Sequence, residues 1–297
     1  MQQCSKPLVS IIVITYNSSK YVLETLESAK AQTYQNIELI VSDDGSKDDT
    51  LEICKNWLAQ NKERFVSTEL ITVEENTGIP ANCNRGVKAS KGEWVKLIAG
   101  DDILLNGNIE NNLTHALQTG YLFVISDMIY FNENKSELAG YGSKNEIINF
   151  FSRVSACEKL KSYRRNSVFL NSPTYFYHRS VYNKNKGYDE DFMLLEDNPF
   201  IINTLQNKIN ISFLPKKTVK YRINLTSVTG QGGAIIRKDL RNLYYKYKKA
   251  QLSEGTIKDQ IFNVLIKFEM FMKRKGIGKS ILFKIYRKIT SKIRELS

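Results

Sequence analysis

Short β-branched runs alternating with amphipathic stretches predict an α/β protein, a mostly parallel sheet flanked by helices with a helical, basic C-terminal extension. Three observations carry that prediction. Leu8–Thr15 (LVSIIVIT) is a continuous apolar run, as a strand buried on both faces requires. Val22, Leu23, Leu26 and Ala29 then fall at helical spacing within Tyr21–Gln32. The same alternation recurs three times in about a hundred residues, which calls for a doubly wound sheet with right-handed crossovers.

Taken in order, Ile37–Ser42 (IELIVS) reads as the second strand, ending at Asp43-Asp44-Gly45-Ser46. Ser46 and Asp49 are spaced as a capping box for a helix over Asp48–Ala59. Leu70–Val73 reads as the third strand, Ile79–Ala89 as a helix, Trp94–Ala99 as the fourth strand and Tyr121–Phe131 as a later one.

The whole chain of 297 residues carries a net charge of +12, but its position matters more than its size. Residues 1–236 hold 26 basic and 26 acidic side chains, whereas residues 237–297 hold 17 and 5. A neutral body therefore precedes a basic tail. Cys4, Cys54, Cys83 and Cys157 are irregularly spaced without a CxxC, so neither a zinc site nor a disulfide framework is expected, and a reducing, cytoplasmic setting is. His115 and His178, the only two histidines, leave little room for histidine-ligand chemistry. No apolar run is long enough to span a bilayer, and no signal peptide is read.

In parallel α/β sheets, ligands sit beyond the carboxyl ends of the strands. Three polar clusters fall at those ends: Thr15-Tyr16-Asn17, Asp43-Asp44-Gly45-Ser46 and Gly100-Asp101-Asp102. Four carboxylates converging on one rim repel each other unless a cation or a donating ligand joins them. Hard oxygen ligands favour Mg²⁺ or Mn²⁺, ions that bridge one or two carboxylates to phosphates. No GxGxxG follows the first strand. Gly276-Ile277-Gly278-Lys279-Ser280 has the ending of a P-loop, but Lys273 stands where the first glycine is needed. Glycine-cradle nucleotide binding is thereby set aside.

At this point the chain resembles the family-2 inverting glycosyltransferases of GT-A (Rossmann-like) fold. The resemblance rests on VSIIVITYN (Val9–Asn17), SAKAQTYQNIELIVSDDGSKDDT (Ser28–Thr50), NTGIPANCNRG (Asn76–Gly86), KGEWVKLIAGDD (Lys91–Asp102) and GYDEDFMLLED (Gly187–Asp197), in family order over about two hundred residues. It implies that Thr15, Tyr16 and Asn17 line a nucleotide pocket, and that Asp44 accepts the N3–H of a uracil-type base. It implies Asp102 as the metal ligand for Mn²⁺ or Mg²⁺, Asp101 near the ribose, and Asp197 of the Glu196-Asp197 pair as catalytic base. Tyr221-Arg222 and Ser227 resemble the family's YR…S segment, with Arg222 a phosphate or loop contact. One departure is Cys83 before Asn84, where many relatives carry Arg; either that contact is missing or Arg85 supplies it.

The implied activity is metal-dependent, inverting transfer of a hexosyl-type sugar from a nucleotide-sugar, a UDP-sugar, to a hydroxyl of a glycan or lipid-linked acceptor. Cell-surface polysaccharide (capsule, O-antigen or exopolysaccharide) is the implied setting. The implied division is a catalytic domain over 1–235, donor half 1–120 and acceptor side 121–235, then the basic helical region 236–297. Simpler roles compete: Asp44 with Ser46, or Asp101 with Asp102, as turn and helix caps, and Asp197 as a helix-start acid before Pro199. Lys161-Ser162-Tyr163-Arg164-Arg165 is a solvated helix end or faces an anionic acceptor.

From Lys279 to Ser297, Ile281, Leu282, Ile285, Ile289, Ile293 and Leu296 share one helical face, away from Lys284, Arg287, Lys288 and Arg294. Such a helix lies on an anionic membrane surface, which would place the enzyme peripherally at the inner face of the cell membrane. Alternatively the stripe packs on the body or on a second subunit. Two other classes stay in view, a sugar-nucleotide-binding protein without activity and a nucleic-acid binder gripping phosphate through the tail. The acidic rim and the lack of an aromatic-interleaved motif oppose nucleic acid as a partner.

Overall fold

The computed structural model describes residues 6–138, 144–165, 170–223 and 233–274. Ser227 and the amphipathic stretch from Lys279 onward lie outside the described residues.

The first units are β1 (Val9–Thr15), α1 (Val22–Lys30), β2 (Ile37–Asp43), α2 (Thr50–Asn61), β3 (Thr68–Thr72), α3 (Ile79–Ala89) and β4 (Trp94–Ala99). After them come β5 (Ile103–Leu104), α4 (Asn108–Thr119), β6 (Phe123–Phe131), α5 (Lys144–Phe151) and α6 (Ala156–Arg165). Next stand β7 (Tyr175–His178), α7 (Arg179–Asn185), α8 (Asp197–Gln206) and β8 (Ser212–Arg222). The described chain ends with α9 (Ala234–Leu243), a π-helical turn (Tyr244–Lys248), α10 (Lys249–Ser253) and α11 (Ile257–Arg274).

One eight-stranded sheet has the order β3-β2-β1-β4-β7-β6-β8-β5. Strands β1 to β4 are mutually parallel, and β7 runs antiparallel to both β4 and β6. Strand β8 is parallel to β6, while β5 closes the edge antiparallel to it. The mostly parallel α/β fold expected from the sequence is therefore present, with helices C-terminal to it.

The β1 pleat explains its unbroken apolar run. Val9, Ile11 and Val13 join Leu26, Trp57 and Leu113 in one core, whereas Ile12 joins Val87 and Phe200 in the other. Helix α3 packs on β1 at Gly86, where a Cβ would stand 2.4 Å from Ile12 Cγ2, so glycine permits the approach.

The expected capping box does not form. Helix α2 begins at Thr50, and Asp49 makes no side-chain cap bond. Ser46 is drawn instead to the strand end, donating to Asp43 Oδ2 at 2.5 Å, and Asp48 Oδ1 accepts the Thr50 amide at 3.1 Å. The basic end of α6 is also not simply solvated: Tyr163 is fully buried and Arg165 pairs with Asp259 of α11 at 2.7 Å. His115 lies 2.5 Å from Ser212 Oγ, and His178 caps α7 through Ser180, so both have structural partners.

Helix α9 (Ala234–Leu243) spans the 235/236 boundary expected from the sequence. Leu243 and Tyr247 lie in the same core as Phe192 and Phe200.

Candidate active site

Register places the polar clusters side by side. Thr15 pairs with Asp43 across β1 and β2, and Ile14 pairs with Ala99 across β1 and β4. The residues following those ends therefore share one rim. Asp43, fully buried, organises the turn by accepting from Thr15 Oγ1 at 2.8 Å and from the Gly45 and Ser46 amides at 3.1 and 2.9 Å. Asn17 has φ +49; its amide donates to Ser46 Oγ and its Oδ1 accepts the Lys47 amide, both at 2.8 Å. The ring of Tyr16 is left 44% exposed beside them.

Asp44 is buried and already engaged. Its carboxylate accepts the Thr77 hydroxyl at 2.6 Å, the Gly78 amide at 2.8 Å, the Arg85 guanidinium at 2.7 Å and, less closely, the Thr77 amide. That uses the acceptor capacity of both oxygens. The carboxylate expected to meet a base thus also holds the entry to α3.

Asp102 is 1% exposed, and its Oδ1 accepts the Arg222 amide of β8 at 2.9 Å. Its Oδ2 is buried with no hydrogen-bond partner among the described residues. Burial, then the neighbouring charge of Asp101, raises the Asp102 carboxyl well above its ordinary range; burial raises Asp101 too, opposed by Arg222. Lys96, wholly buried on β4, donates to the Pro173 and Tyr175 carbonyls and is pushed down to about 7 by burial.

Two acids that resist ionising, one with an orphaned oxygen, suit a divalent cation. No cluster of three or more metal-ligating side chains occurs among the described residues. Such an ion would thus be held by one or two carboxylates together with ligand phosphates.

Of the two contacts expected for Arg222, the structure describes the one to a loop. Its Nε donates to the Asp101 carbonyl at 2.8 Å and its Nη2 to Glu24 at 3.0 Å. The guanidinium lies 4.2 Å from the Tyr21 ring centre and 4.5 Å from that of Phe131. At 3% exposure it braces the acidic turn.

Asp197 is the first residue of α8, half-buried, with Oδ1 accepting the Asn198 amide at 2.6 Å and its side-chain amide at 2.9 Å. Glu196 accepts the Ser172 hydroxyl at 2.6 Å. Burial raises both carboxyls, and burial plus the Asp197 charge pushes Glu196 up to about 7. The preceding loop touches the donor-side helix, because the Ile79 amide donates to the Met193 carbonyl at 2.9 Å. A continuous line of contacts thus runs from Asp44 through Gly78 and Ile79 to Met193, three residues before Glu196.

The model of glycosyl transferase family 2 matches residues 10–241. The chain belongs to that family. Glycosyltransferase GlyG of Streptococcus pneumoniae is 36% identical over 132 residues, 44% of this chain and 41% of that protein. Escherichia coli WfaP, named as a UDP-Glc:alpha-D-GlcNAc-diphosphoundecaprenol beta-1,3-glucosyltransferase, is 31% identical over 152 residues, 50% of this chain and 57% of that protein. The matches thus span less than two thirds of either relative. Crystalline Staphylococcus aureus TarS 1–349 in complex with UDP-GlcNAc superposes with a TM-score of 0.62 at 18% identity, covering 89% of this chain and 81% of that one. At that identity the likeness is one of fold, and it agrees with the GT-A architecture.

Within this family-2 frame, Cys83 and Arg85 occupy different environments. Cys83 is 2% exposed in the core beside Ile12 and Val87, its thiol pushed well up by burial. Arg85, two positions on, reaches the rim and Asp44. Thr77 and Asn84 were not singled out by sequence reasoning as site-shaping residues, although both lie in the NTG…NRG segment. Asp239 was missed as well, and its only sequence signal is a lone acid among Arg237, Lys238 and Arg241.

Proposed function

We propose that this chain transfers a sugar from a UDP-sugar to a hydroxyl of a glycan or lipid-linked saccharide, with inversion, in cell-surface polysaccharide synthesis. The observation that carries the reading is the juxtaposition, at one sheet rim, of Tyr16, Asp44 and the acidic turn with its orphaned Asp102 Oδ2. WfaP, named for UDP-Glc and a diphosphoundecaprenol acceptor, and the UDP-GlcNAc complex of TarS support the donor and acceptor classes.

In this reading Thr15, Tyr16 and Asn17 line the nucleotide pocket. Asp44 accepts the base N3–H in place of the Thr77 hydroxyl, which it receives at 2.6 Å. Asp101 lies toward the ribose, and Asp102 Oδ2 is the protein's ligand for Mn²⁺ or Mg²⁺. The bound cation would offset charge on the departing diphosphate. Asp197 takes the proton from the acceptor hydroxyl as it attacks opposite the leaving group. A single in-line displacement inverts the anomeric centre, with no carboxylate nucleophile of the kind retaining glycosidases use. Residues 1–120 form the donor half and 121–235 the acceptor side.

We assign membrane attachment to the C-terminal region. On α11, Ile257, Ile261, Val264 and Phe271 are exposed and precede the basic amphipathic stretch. No helix among the described residues is long and apolar enough to cross a membrane.

The test is a thermal-shift screen of nucleotide-sugars with Mn²⁺, followed by calorimetry and turnover. Asp102→Asn should abolish metal-dependent donor binding, whereas Asp197→Asn should bind donor and fail to transfer. Full transfer by Asp197→Asn would overturn the base assignment. Metal-dependent UDP binding with no turnover of any donor would instead indicate a binding protein.

A further inference from the structure

We infer that Asp239, on the C-terminal helix α9, is a positioning residue for the segment that carries the catalytic base; this rests on the transferase reading above. Helix α9 exposes Ile235 and Leu240 to solvent and yet buries a carboxylate, Asp239, to 2% exposure. Burying a charge is costly unless it is well hydrogen-bonded. Among the described residues its donors are two backbone amides, Met193 at 3.0 Å and Leu194 at 2.8 Å, both accepted by Oδ2. Hydrogen bonds to an ionised acceptor are the stronger kind, and paired amides fix direction as well as distance.

Those amides have a particular location. The carbonyl of Met193 accepts the Ile79 amide from α3, so this peptide is held from the donor side and from the C-terminal side at once. Glu196 and Asp197 follow within four residues. The other end of the segment is gripped by the same C-terminal stretch. Lys246 Nζ contacts Asp189 at 2.7 Å and Asp191 at 2.6 Å, and the Tyr247 hydroxyl donates to Asp189 at 2.5 Å. The run from Asp239 to Tyr247 therefore clamps residues 189–194 at both ends. A base displaced by a fraction of an ångström loses its reach to the acceptor hydroxyl, while nucleotide contacts at the β1, β2 and β4 ends stay in place. The C-terminal region thereby completes the active site, independently of any role in attachment.

The experiment compares the full chain with Asp239→Ala, Asp239→Asn and Tyr247→Phe. Amide hydrogen exchange over 187–197, calorimetry with UDP and Mn²⁺, and transfer kinetics are measured for each. Asp239→Ala should raise exchange in 187–197 at least tenfold, with β1, β2 and β4 peptides unchanged. Its kcat should fall by about thirtyfold or more, while UDP affinity and donor KM stay within threefold. Asp239→Asn keeps an acceptor oxygen and should recover most of both. Tyr247→Phe should give a smaller exchange increase in the same segment, and it carries the test if Asp239→Ala does not fold. Unchanged exchange in 187–197, protection lost evenly across the sheet, or wild-type kcat in Asp239→Ala would each overturn the inference. The exchange result stands even if no donor is turned over, which separates failure of the positioning role from failure of the transferase reading.

Discussion

Asn84 and Tyr188 are joined twice: Asn84 Nδ2 donates to the Tyr188 carbonyl at 2.9 Å, and Asn84 Oδ1 accepts the Tyr188 amide at 2.8 Å. A side-chain amide thus completes the backbone bonding of a segment that belongs to neither helix nor strand. The same Oδ1 accepts the Tyr182 hydroxyl at 3.0 Å, and Nδ2 also reaches Glu190 at 2.6 Å. Helix α3 and the base-bearing segment are consequently tied together through one side chain.

Asn84→Ala should be strongly destabilising. It strips both backbone groups of the buried Tyr188 of their partner, and an unsatisfied buried group costs about 1–3 kcal/mol. We expect a loss of about 2–4 kcal/mol in urea unfolding, seen as a lower midpoint at unchanged slope. A midpoint equal to wild type would show that water replaces the amide freely.

Gly78→Ala tests the other contact between these parts. Gly78 has φ +97, and an added Cβ would stand 2.8 Å from the Met193 carbonyl oxygen and 3.2 Å from its Cα. The backbone strain alone is on the order of 1–3 kcal/mol. Relief requires the loop to separate from Met193, so the variant should lose stability and kcat together. The donor KM should rise too, because Asp44 binds the Gly78 amide. Guanidinium unfolding and steady-state kinetics on one preparation would check all three.

The legible parts of this protein were those governed by local pattern. The bounds of α3 and β4 match the sequence reading at Ile79–Ala89 and Trp94–Ala99, because helical spacing and a two-faced apolar run each encode their own length. The capping box failed because Ser46 had a better partner in Asp43, which becomes visible only when the strand end curls back. Insertion of β7 between β4 and β6 rests on pairs such as Trp94 with His178, which no local period reveals. At the site, the acidic residues were readable as types. Their engagements were not: Asp102 meets the Arg222 amide across 120 positions, and Asp239 meets Met193 across 46.

The Glu196–Asp197 pair predicts a pH dependence with a definite sign. Burial first, then the Asp197 charge, holds the proton on Glu196 up to about 7, above the ordinary carboxyl value of 4.5. The folded state therefore binds protons more tightly than the unfolded one. This contribution to stability is complete below the unfolded value and is lost as pH rises through about 7. Unfolding free energy should decline between about pH 5 and pH 8, and Glu196→Gln should flatten that decline. Catalysis has the opposite slope, because the base must be ionised: burial raises the Asp197 carboxyl, so kcat should climb with pH from above the ordinary carboxylate range. The proton stays on Glu196 while Asp197 ionises, so Glu196→Gln should leave the acid limb of the kcat profile in place. A limb that moves to lower pH would show that Glu196 is already charged when Asp197 loses its proton.

Arg222→Lys separates two roles for one side chain. A lysine keeps the charge but loses the Nε donor to the Asp101 carbonyl and the flat cation that lies between Tyr21 and Phe131. If Arg222 braces the acidic turn, stability should fall by about 1–3 kcal/mol, the cost of an unsatisfied buried group. Metal-dependent UDP binding should weaken only modestly, because the position-222 backbone amide still meets Asp102 Oδ1. If the side chain instead met a phosphate, a lysine would leave stability near wild type, since charge is retained and no buried carbonyl is abandoned. UDP affinity would then drop markedly through loss of bidentate contact. Denaturation and UDP calorimetry on this one variant thus move in opposite proportions under the two roles, and the burial of the guanidinium predicts the first.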